Sequence, residues 1–256
     1  MGGDHKVAFF DSNGVKIYYE DKGSGDPVVL VHGFASKAEH NWGLTGWYKT
    51  LANYRVIALD CRGHGRSDKP HEASAYAGTA MEDDVIRLLD HLNIKRALLM
   101  GYSMGGRISM GLLAHHPERF RAVVLGGIGA GAGVAERETR KPIVQALLAD
   151  DKSKVTNPRA QQFRDFAEAN KNDLKALAAC MDAERGTITA NEFTRNSVPV
   201  MVVAGSKDEL VAEPEDLANM IPLAQLLKLD GRDHLNAPGD KLYHQAVLEF
   251  FASAPK

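Results

Sequence analysis

The stretch that decides the fold is GYSMGG, Gly101 to Gly106, in which one serine follows the apolar run RALLM and is surrounded by small residues. Ser103 stands where a predicted strand ends and a predicted helix begins. In so tight a turn, side chains at Gly101 and Gly105 would collide. The helix that begins at Met104 also points free backbone N–H groups at the hydroxyl, which favours negative charge there. The stretch predicts a sharp bend that exposes Ser103, although a glycine–serine turn without function would look the same.

Strands and helices alternate along most of the chain. VAFFDS and VKIYYED flank Asn13-Gly14 and predict a β-hairpin, because Asn-Gly tolerates the positive φ angles of a tight primed turn. Apolar runs typical of strands buried on both faces follow: PVVLVHG, YRVIALD, RALLMGYS, FRAVVLGG, PVMVVAG and AQLLKLDG. Most are separated by helical patterns. One of these patterns begins with a Thr79–Glu82 capping box and has an apolar stripe formed by Met81, Val85, Leu88, Leu89 and Leu92. This order predicts an α/β fold, with a mostly parallel twisted sheet and helices on both faces.

The alternation is interrupted once, between FRAVVLGG and PVMVVAG. By the period test, about 65 residues there contain no convincing strand, and they are rich in helix formers and charge. Asn157 followed by Pro158, and Thr189 with Glu192, predict the starts of two of these helices. We therefore expect one domain over residues 1–256 that carries a helical lid insert at residues 131–197.

Chemically useful side chains follow two further predicted strands. Ligands of open α/β sheets bind beyond the carboxyl ends of the strands, and Asp208 and His234 lie just past two such ends. A serine hydroxyl becomes a nucleophile when an imidazole takes its proton, and the imidazole needs a carboxylate to fix its tautomer. Asp230 and Asp233 are rival acids, but they are too near His234 in sequence to reach its far nitrogen comfortably. We predict a catalytic triad of Ser103, Asp208 and His234.

Such a serine also needs two donors for the oxyanion that forms on the substrate. The backbone N–H of Met104 supplies one, and the loop after PVVLVHG supplies the other. Because His32, Gly33 and Phe34 occupy that loop, we predict the N–H of Phe34 as the second donor. The Phe34 side chain is then expected to line the pocket, and His32 to anchor the loop by hydrogen bonds.

Five short motifs carry a family resemblance: HGF at 32–34, DCRGHGRSDKP at 60–70, GYSMGG at 101–106, GSKDELV at 205–211 and GRDH at 231–234. Together they resemble the α/β-hydrolase superfamily, in its serine branch of esterases and cofactor-free haloperoxidases. The resemblance runs nearly end to end, with the insert at the usual lid position. It implies Ser103 as nucleophile, His234 as base, Asp208 as the residue that orients the base, and Phe34 with Met104 as oxyanion donors.

Other branches of the superfamily fit less well. Haloalkane dehalogenases and epoxide hydrolases, two branches of the superfamily, use an aspartate nucleophile, whereas position 103 of this chain is serine. Dehalogenases typically continue with a tryptophan, where Met104 stands, and epoxide hydrolases need lid tyrosines, of which residues 131–197 contain none. Carbon–carbon bond hydrolases usually show a glycine-proline-glycine loop after the first histidine, where this chain has GFASKAEHNW. That branch is disfavoured but open.

We therefore expect a serine hydrolase that cleaves a small to medium ester or related acyl compound through an acyl-enzyme intermediate. The alternatives are a carbon–carbon bond hydrolase or a perhydrolase on the same triad, or a ligand receptor built on the hydrolase fold. Apolar residues of the elbow, the loop and the insert are expected to bind the substrate and to favour uncharged acyl groups: Phe34, Met104, Ile143, Leu147, Phe166, Leu177 and Met181.

Composition limits the partners. The chain has 256 residues and a net charge of -2, which argues against nucleic acid and anionic membranes as partners. Cys61 and Cys180 lack metal-ligand spacing and predict buried reduced thiols, so no metal is expected. GGIGAGAG contains a degenerate dinucleotide-binding match, but it leads into the insert, so no cofactor is expected.

The N-terminal stretch has no apolar signal core, and no stretch reaches the ~20 apolar residues of a membrane span. We expect a cytoplasmic protein with a small-molecule substrate. The sequence does not indicate an oligomeric state.

Overall fold

The computed structural model describes residues 5–133 and 137–256. Within these residues, eight strands form one sheet: β1 (His5–Ser12), β2 (Val15–Lys22), β3 (Pro27–Val31), β4 (Arg55–Leu59), β5 (Ala97–Tyr102), β6 (Phe120–Gly126), β7 (Val200–Gly205) and β8 (Ala224–Leu229). They are ordered β1-β2-β4-β3-β5-β6-β7-β8. β2 is antiparallel to β1 and to β4, and all the other pairs are parallel. The predicted mostly parallel sheet is confirmed.

The opening hairpin forms as its turn residues predict. Ser12 pairs with Val15, and the connecting residues Asn13 and Gly14 have φ angles of 55° and 84°. Two consecutive positive φ angles are those of a primed turn, whose twist matches that of the flanking strands.

Helices cover both faces of the sheet. In the described residues they are α1 (Trp47–Thr50), α2 (Ala80–His91), α3 (Met104–His115), α4 (Arg137–Leu148), α5 (Pro158–Ala169), α6 (Leu174–Asp182), α7 (Ala190–Phe193), α8 (Pro214–Met220) and α9 (Lys241–Ala252). α2, α3 and α8 pack on one face, where Leu88, Leu112 and Leu217 join a core cluster. α1 and α9 pack on the other face through Trp47 and Phe251. The molecule thus has the α/β-hydrolase fold that the motifs imply.

Two local predictions are wrong. Thr79 precedes α2 but its side chain caps no backbone N–H, because Glu82 turns inward to Arg107 and His115 instead of forming the predicted capping box. AQLLKLDG forms β8, but as an edge strand it is largely half-buried, not covered on both faces. In both cases a tertiary position overrides a local pattern.

The helical insert, by which we mean α4 to α7, lies between β6 and β7. Asn157 accepts a hydrogen bond from the Ala160 N–H with Pro158 at the first turn, and Thr189 and Glu192 form a capping box, as predicted. α4, α5 and α6 share a small apolar cluster that also includes Ala35 of the loop after β3. Within the described residues the insert contains no strand. Residues 134–136 of the predicted lid range lie outside the described residues.

Candidate active site

Ser103 occupies a strained turn between β5 and α3. Its φ and ψ angles are 56° and -115°, values that a residue with a side chain adopts rarely and at a cost. Its N–H donates to the Gly126 carbonyl at 2.8 Å, which ties the turn to β6. A Cβ atom at Gly101 would overlap the Gly105 carbonyl oxygen, and one at Gly105 would overlap the Val31 carbonyl oxygen. Both glycines are therefore required by close backbone approach.

Three side chains from three strand ends form one continuous hydrogen-bonded chain. Nε2 of His234 lies 2.9 Å from Oγ of Ser103, and Nδ1 of His234 lies 2.7 Å from Oδ2 of Asp208. Asp233 instead accepts the N–H groups of the turn that follows it, and Asp230 accepts from Ser206. Of the three candidate acids, the one that contacts His234 is Asp208.

The acid and the imidazole are held by their surroundings. The Asp208 side chain is fully buried, and its second oxygen, Oδ1, accepts the Leu210 N–H at 3.0 Å. The Tyr102 hydroxyl donates to the backbone carbonyl of His234 at 2.7 Å, and the two rings lie 5.2 Å apart. Burial raises the pKa of Tyr102 well above its usual value, so the hydroxyl keeps the proton that it donates.

The loop after β3 folds into a turn beside Ser103. The Ser36 N–H donates to the Gly33 carbonyl at 3.3 Å, and Ala35 within this turn has a φ of 55°. Asn172, in the loop between α5 and α6, donates to the Ala35 carbonyl at 2.8 Å. Among the hydrogen bonds of residues 5–133 and 137–256, none uses the N–H of Phe34 or Met104 as donor. These two predicted oxyanion donors are thus uncommitted.

Two buried histidines support this loop. His32 donates from Nδ1 to the Gly33 carbonyl at 2.7 Å and accepts the Cys61 N–H on Nε2 at 2.9 Å, as expected for an anchor. His64 donates from Nδ1 to the Arg62 carbonyl, and its ring lies 5.6 Å from the Phe34 ring. Burial lowers the pKa of both imidazoles, that of His64 to about 3, so both rings are neutral near pH 7.

The predicted pocket residues fall into three environments. Four of them are buried in the apolar cluster of the insert: Ile143, Leu147, Leu177 and Met181. Phe34 is half-buried and packs against that cluster and the sheet core, while Met104 belongs to the sheet core. Phe166 is 36% exposed and belongs to none of these clusters.

Two residues of the insert contact the loop after β3 and were not among the predicted site residues. Phe163 lies with its ring 5.9 Å from that of Phe34, and Asn172 bonds to Ala35. Phe163 precedes Phe166 by three residues on α5, so helical spacing alone allows either ring to face inward. The contact of Asn172 with Ala35 could not be predicted from the sequence, because an asparagine in a loop is ordinarily a turn residue.

Neither a metal site nor a membrane span is evident in the described part of the chain. It contains no group of three or more His, Cys, Asp or Glu side chains placed to hold a metal ion. Among its helices, none combines the length and the apolarity needed to cross a bilayer.

Known proteins are similar to this chain in fold and in sequence. Residues 26–167 match the family model described as the alpha/beta hydrolase fold. A non-heme chloroperoxidase, CPO-A1, from Kitasatospora aureofaciens is 30% identical, over 93% of this chain and 96% of that protein. 3-oxoadipate enol-lactonase 2 from Acinetobacter baylyi is also 30% identical, over 91% of this chain and 92% of that protein. The crystal structure of a hydrolase from Pseudomonas aeruginosa PA01 superimposes with a TM-score of 0.79 at 25% identity, covering 97% of this chain and 99% of that one.

The chain belongs to the alpha/beta hydrolase family. It is a hydrolase of that family, and its relatives include a chloroperoxidase and an enol-lactonase.

Proposed function

We propose that the protein is a serine hydrolase that cleaves a small to medium ester or related acyl compound through an acyl-enzyme intermediate. The observation that carries this proposal is the unbroken chain from Asp208 Oδ2 through His234 to Ser103 Oγ, with contacts of 2.7 and 2.9 Å. Both distances lie within the hydrogen-bonding range of about 2.6–3.2 Å that a nucleophile, its general base and the residue orienting the base require.

The proposed reaction has two halves. His234 Nε2 takes the proton of Ser103 as Oγ attacks the substrate carbonyl carbon, and the positive imidazole is stabilised by Asp208. The negative carbonyl oxygen is held by the N–H groups of Phe34 and Met104. His234 then passes its proton to the leaving group, and the acyl group remains on Ser103. In the second half, His234 activates a water molecule that attacks the acyl carbon, and Ser103 leaves with its proton restored.

The helical insert serves as the lid in this proposal. Its apolar cluster meets Phe34 and Ala35 in the turn from Gly33 to Ser36, which we call the oxyanion turn, so acyl groups bound at Ser103 face apolar side chains of both elements. Of the predicted wall residues, Phe166 is the least suited to this role because it is exposed.

A second candidate, perhydrolysis, is favoured by the similarity to the chloroperoxidase of Kitasatospora aureofaciens. It needs the same acyl-enzyme, with hydrogen peroxide in place of water as the attacking group, and it yields a peracid and the free enzyme. Hydrolysis and perhydrolysis are therefore separated by the acceptor, which a product assay with and without peroxide identifies.

The test is a screen of ester and thioester substrates with the wild-type protein and the Ser103→Ala variant. We expect steady-state turnover by the wild type and a fall in kcat of about 10³ or more in the variant, because triad members act as a unit. A protein that is stabilised by a ligand but releases no product would be a receptor. Equal turnover by the two proteins would exclude the serine mechanism.

A further inference from the structure

The loop after β3 continues into a short π-helical turn, Glu39–Gly43. The Leu44 N–H donates to the Glu39 carbonyl at 3.0 Å and closes this turn, which is wider than an α-helical one. Two side chains of the turn point into the interior: Asn41 is 8% exposed, and Trp42 is fully buried in the core of the sheet. Asn41 is thus a polar side chain at a depth where apolar side chains are usual.

The side chain of Asn41 makes one hydrogen bond within the described residues. Its Oδ1 accepts the Gly33 N–H at 2.9 Å, while its Nδ2 is buried and has no partner in the described part of the chain. A buried amide that is paired at only one of its two ends contributes little to stability. What Asn41 supplies is therefore an acceptor for one particular backbone N–H.

Gly33 lies between Asn41 and the proposed nucleophile. A Cβ atom at Gly33 would lie 3.5 Å from Oδ1 of Asn41 and 3.4 Å from Cβ of Ser103. Glycine has no side chain that packing could hold, and its backbone has the widest choice of conformations. The orientation of Gly33 therefore depends on the hydrogen bonds of its two peptide groups.

Both peptide groups of Gly33 are held. Asn41 accepts the N–H, and the carbonyl accepts from His32 Nδ1 at 2.7 Å and from the Ser36 N–H at 3.3 Å. That carbonyl and the Phe34 N–H belong to one planar trans peptide group, so they point in opposite directions. The direction of the proposed oxyanion donor is thus set by the orientation of Gly33.

The two sides of Gly33 differ in how many bonds hold them. The carbonyl has two donors, whereas the N–H has one acceptor among the described residues, Asn41. A buried N–H without an acceptor costs free energy, so loss of this oxygen favours a rearranged turn in which the N–H is satisfied elsewhere. Rotation about the dihedral angles of Gly33 would carry the Phe34 N–H away from its present direction.

We propose that Asn41 is a positioning residue, whose Oδ1 fixes Gly33 and thereby aims the Phe34 N–H at the carbonyl oxygen of the substrate. This inference rests on the proposed hydrolase function, because the direction of this N–H matters only when an oxyanion forms. Asn41 acts through Gly33 alone. Its effect belongs to the transition state, in which the carbonyl oxygen is negative.

The first test replaces the acceptor in two ways. Asn41→Leu keeps a similar size without the oxygen, and Asn41→Ser has a hydroxyl too short to reach the Gly33 N–H. With p-nitrophenyl butyrate, we expect both variants to lower kcat and kcat/KM by the same factor, about tenfold to a hundredfold. An interaction made only in the transition state leaves KM unchanged. A loss in KM alone would overturn the proposal.

A transition-state analogue tests the oxyanion itself. Ser103 Oγ adds to the carbonyl carbon of trifluoromethyl butyl ketone, the serine proton passes to His234, and the carbonyl oxygen becomes the oxyanion. The inhibition constant of this ketone should rise in Asn41→Leu by the factor by which kcat/KM falls. That of methyl butyl ketone, which is not activated for addition, should stay unaltered. Equal weakening of both ketones would show that Asn41 shapes the pocket instead, and would contradict the proposal.

The matched control for a purely structural role is Trp42→Phe. Trp42 belongs to the same π-helical turn, and its indole N–H has no partner among the described residues. The smaller ring leaves a cavity, so the Tm should fall by roughly 3–6 °C while kcat stays at the wild-type value. The same pattern in Asn41→Leu, a lower Tm with kcat intact, would mean that Asn41 only supports the fold.

Hydrogen exchange of the Gly33 amide, followed by NMR, separates this proposal from the proposed function because it needs no turnover. We expect exchange about tenfold faster in Asn41→Leu, and wild-type exchange in Asn41→Asp, which keeps an acceptor oxygen. If the wild type cleaves no ester, the proposed function fails, and faster exchange still supports the hold on Gly33. Unchanged exchange and kcat in Asn41→Leu would leave the hydrolase standing and remove the positioning role.

Discussion

The carboxyl-terminal edge of the sheet, where Ser103, Asp208 and His234 follow the ends of their strands, and the helical insert are built in different ways. This strand-end edge is called the edge below. At the edge, Ser103 and Asp208 are fixed by backbone hydrogen bonds to β6 and β7, and a fully buried carboxylate meets His234. α4 to α6 share a small cluster that meets the turn at Phe34 and Ala35, while Cys180 of α6 and Phe193 of α7 join the core cluster of the sheet. We infer that the edge determines the chemistry, and that side chains brought by the insert determine what reaches it. The predictions below test this division, from the largest expected effect to the smallest.

Asp208→Asn should lower kcat/KM by about 10² to 10⁴, because an amide favours the wrong tautomer of His234. The measurement is steady-state hydrolysis of p-nitrophenyl butyrate. The matched controls are Asp230→Asn and Asp233→Asn, which alter turn residues of the same edge and should stay near wild type. A severe loss in either control, with a mild one in Asp208→Asn, would mean that the acid has been misassigned.

His64→Gln should make the free energy of unfolding less dependent on pH. The folded pKa of His64 is about 3 and its ordinary value is 6.5, so the native state resists protonation that the unfolded chain accepts. Stability from the neutral ring is present above pH 6.5 and is lost as the pH falls towards 3. Between pH 7.5 and 5, this histidine should account for a loss of about 2 kcal/mol in the free energy of unfolding.

The measurement is urea unfolding of the wild type and His64→Gln at both pH values. The matched control is His116→Gln, a half-buried histidine at the end of α3. Parallel losses in the wild type and His64→Gln would show that the buried ring does not carry the effect.

Asn172→Ala should lower kcat about tenfold, because it removes a hydrogen bond that holds the strained Ala35 in the oxyanion turn. Such a fall in kcat would show that a residue of the insert supports the chemistry at the edge indirectly. Asn170→Ala is the control: its side chain contacts His40 and not the turn. Loss of substrate affinity alone, with kcat intact, would contradict a role in the turn.

Phe163→Ala should destabilise the protein by about 1–2 kcal/mol, and Phe166→Ala by about 0.5 kcal/mol or less. Phe163 packs its ring against Phe34, whereas Phe166 is exposed on the same helix. The two variants are each other's control in thermal unfolding. Equal losses of stability in the two variants would mean that the contact between Phe163 and Phe34 is not what anchors α5.

Much of the edge could be predicted from the sequence because its rules are local. Apolar runs of strand length, Asn13-Gly14 and the glycines around Ser103 each have one good structural solution. The carboxyl ends of parallel strands meet at one edge of the sheet, so the sequence alone predicts that Ser103, Asp208 and His234 lie together. The distances between them agree with that expectation.

The insert was harder because helical periodicity does not say which partner a helix face meets. Phe163 and Phe166 fit the same pattern, yet one faces the oxyanion turn and the other faces outward. Glu82 looked like a capping residue because its tertiary partners, Arg107 and His115, are distant in sequence.

The central claim is that Ser103 is the nucleophile, and stoichiometric labelling tests it most directly. The wild-type protein is treated with a fluorophosphonate probe, residual ester hydrolysis is followed, and the labelled peptide is identified by mass spectrometry. We predict one phosphonyl group per chain, on Ser103, with activity lost in proportion to labelling and no labelling of Ser103→Ala. Full activity with Ser103 completely labelled, or a label on another residue that tracks the loss, would contradict the account.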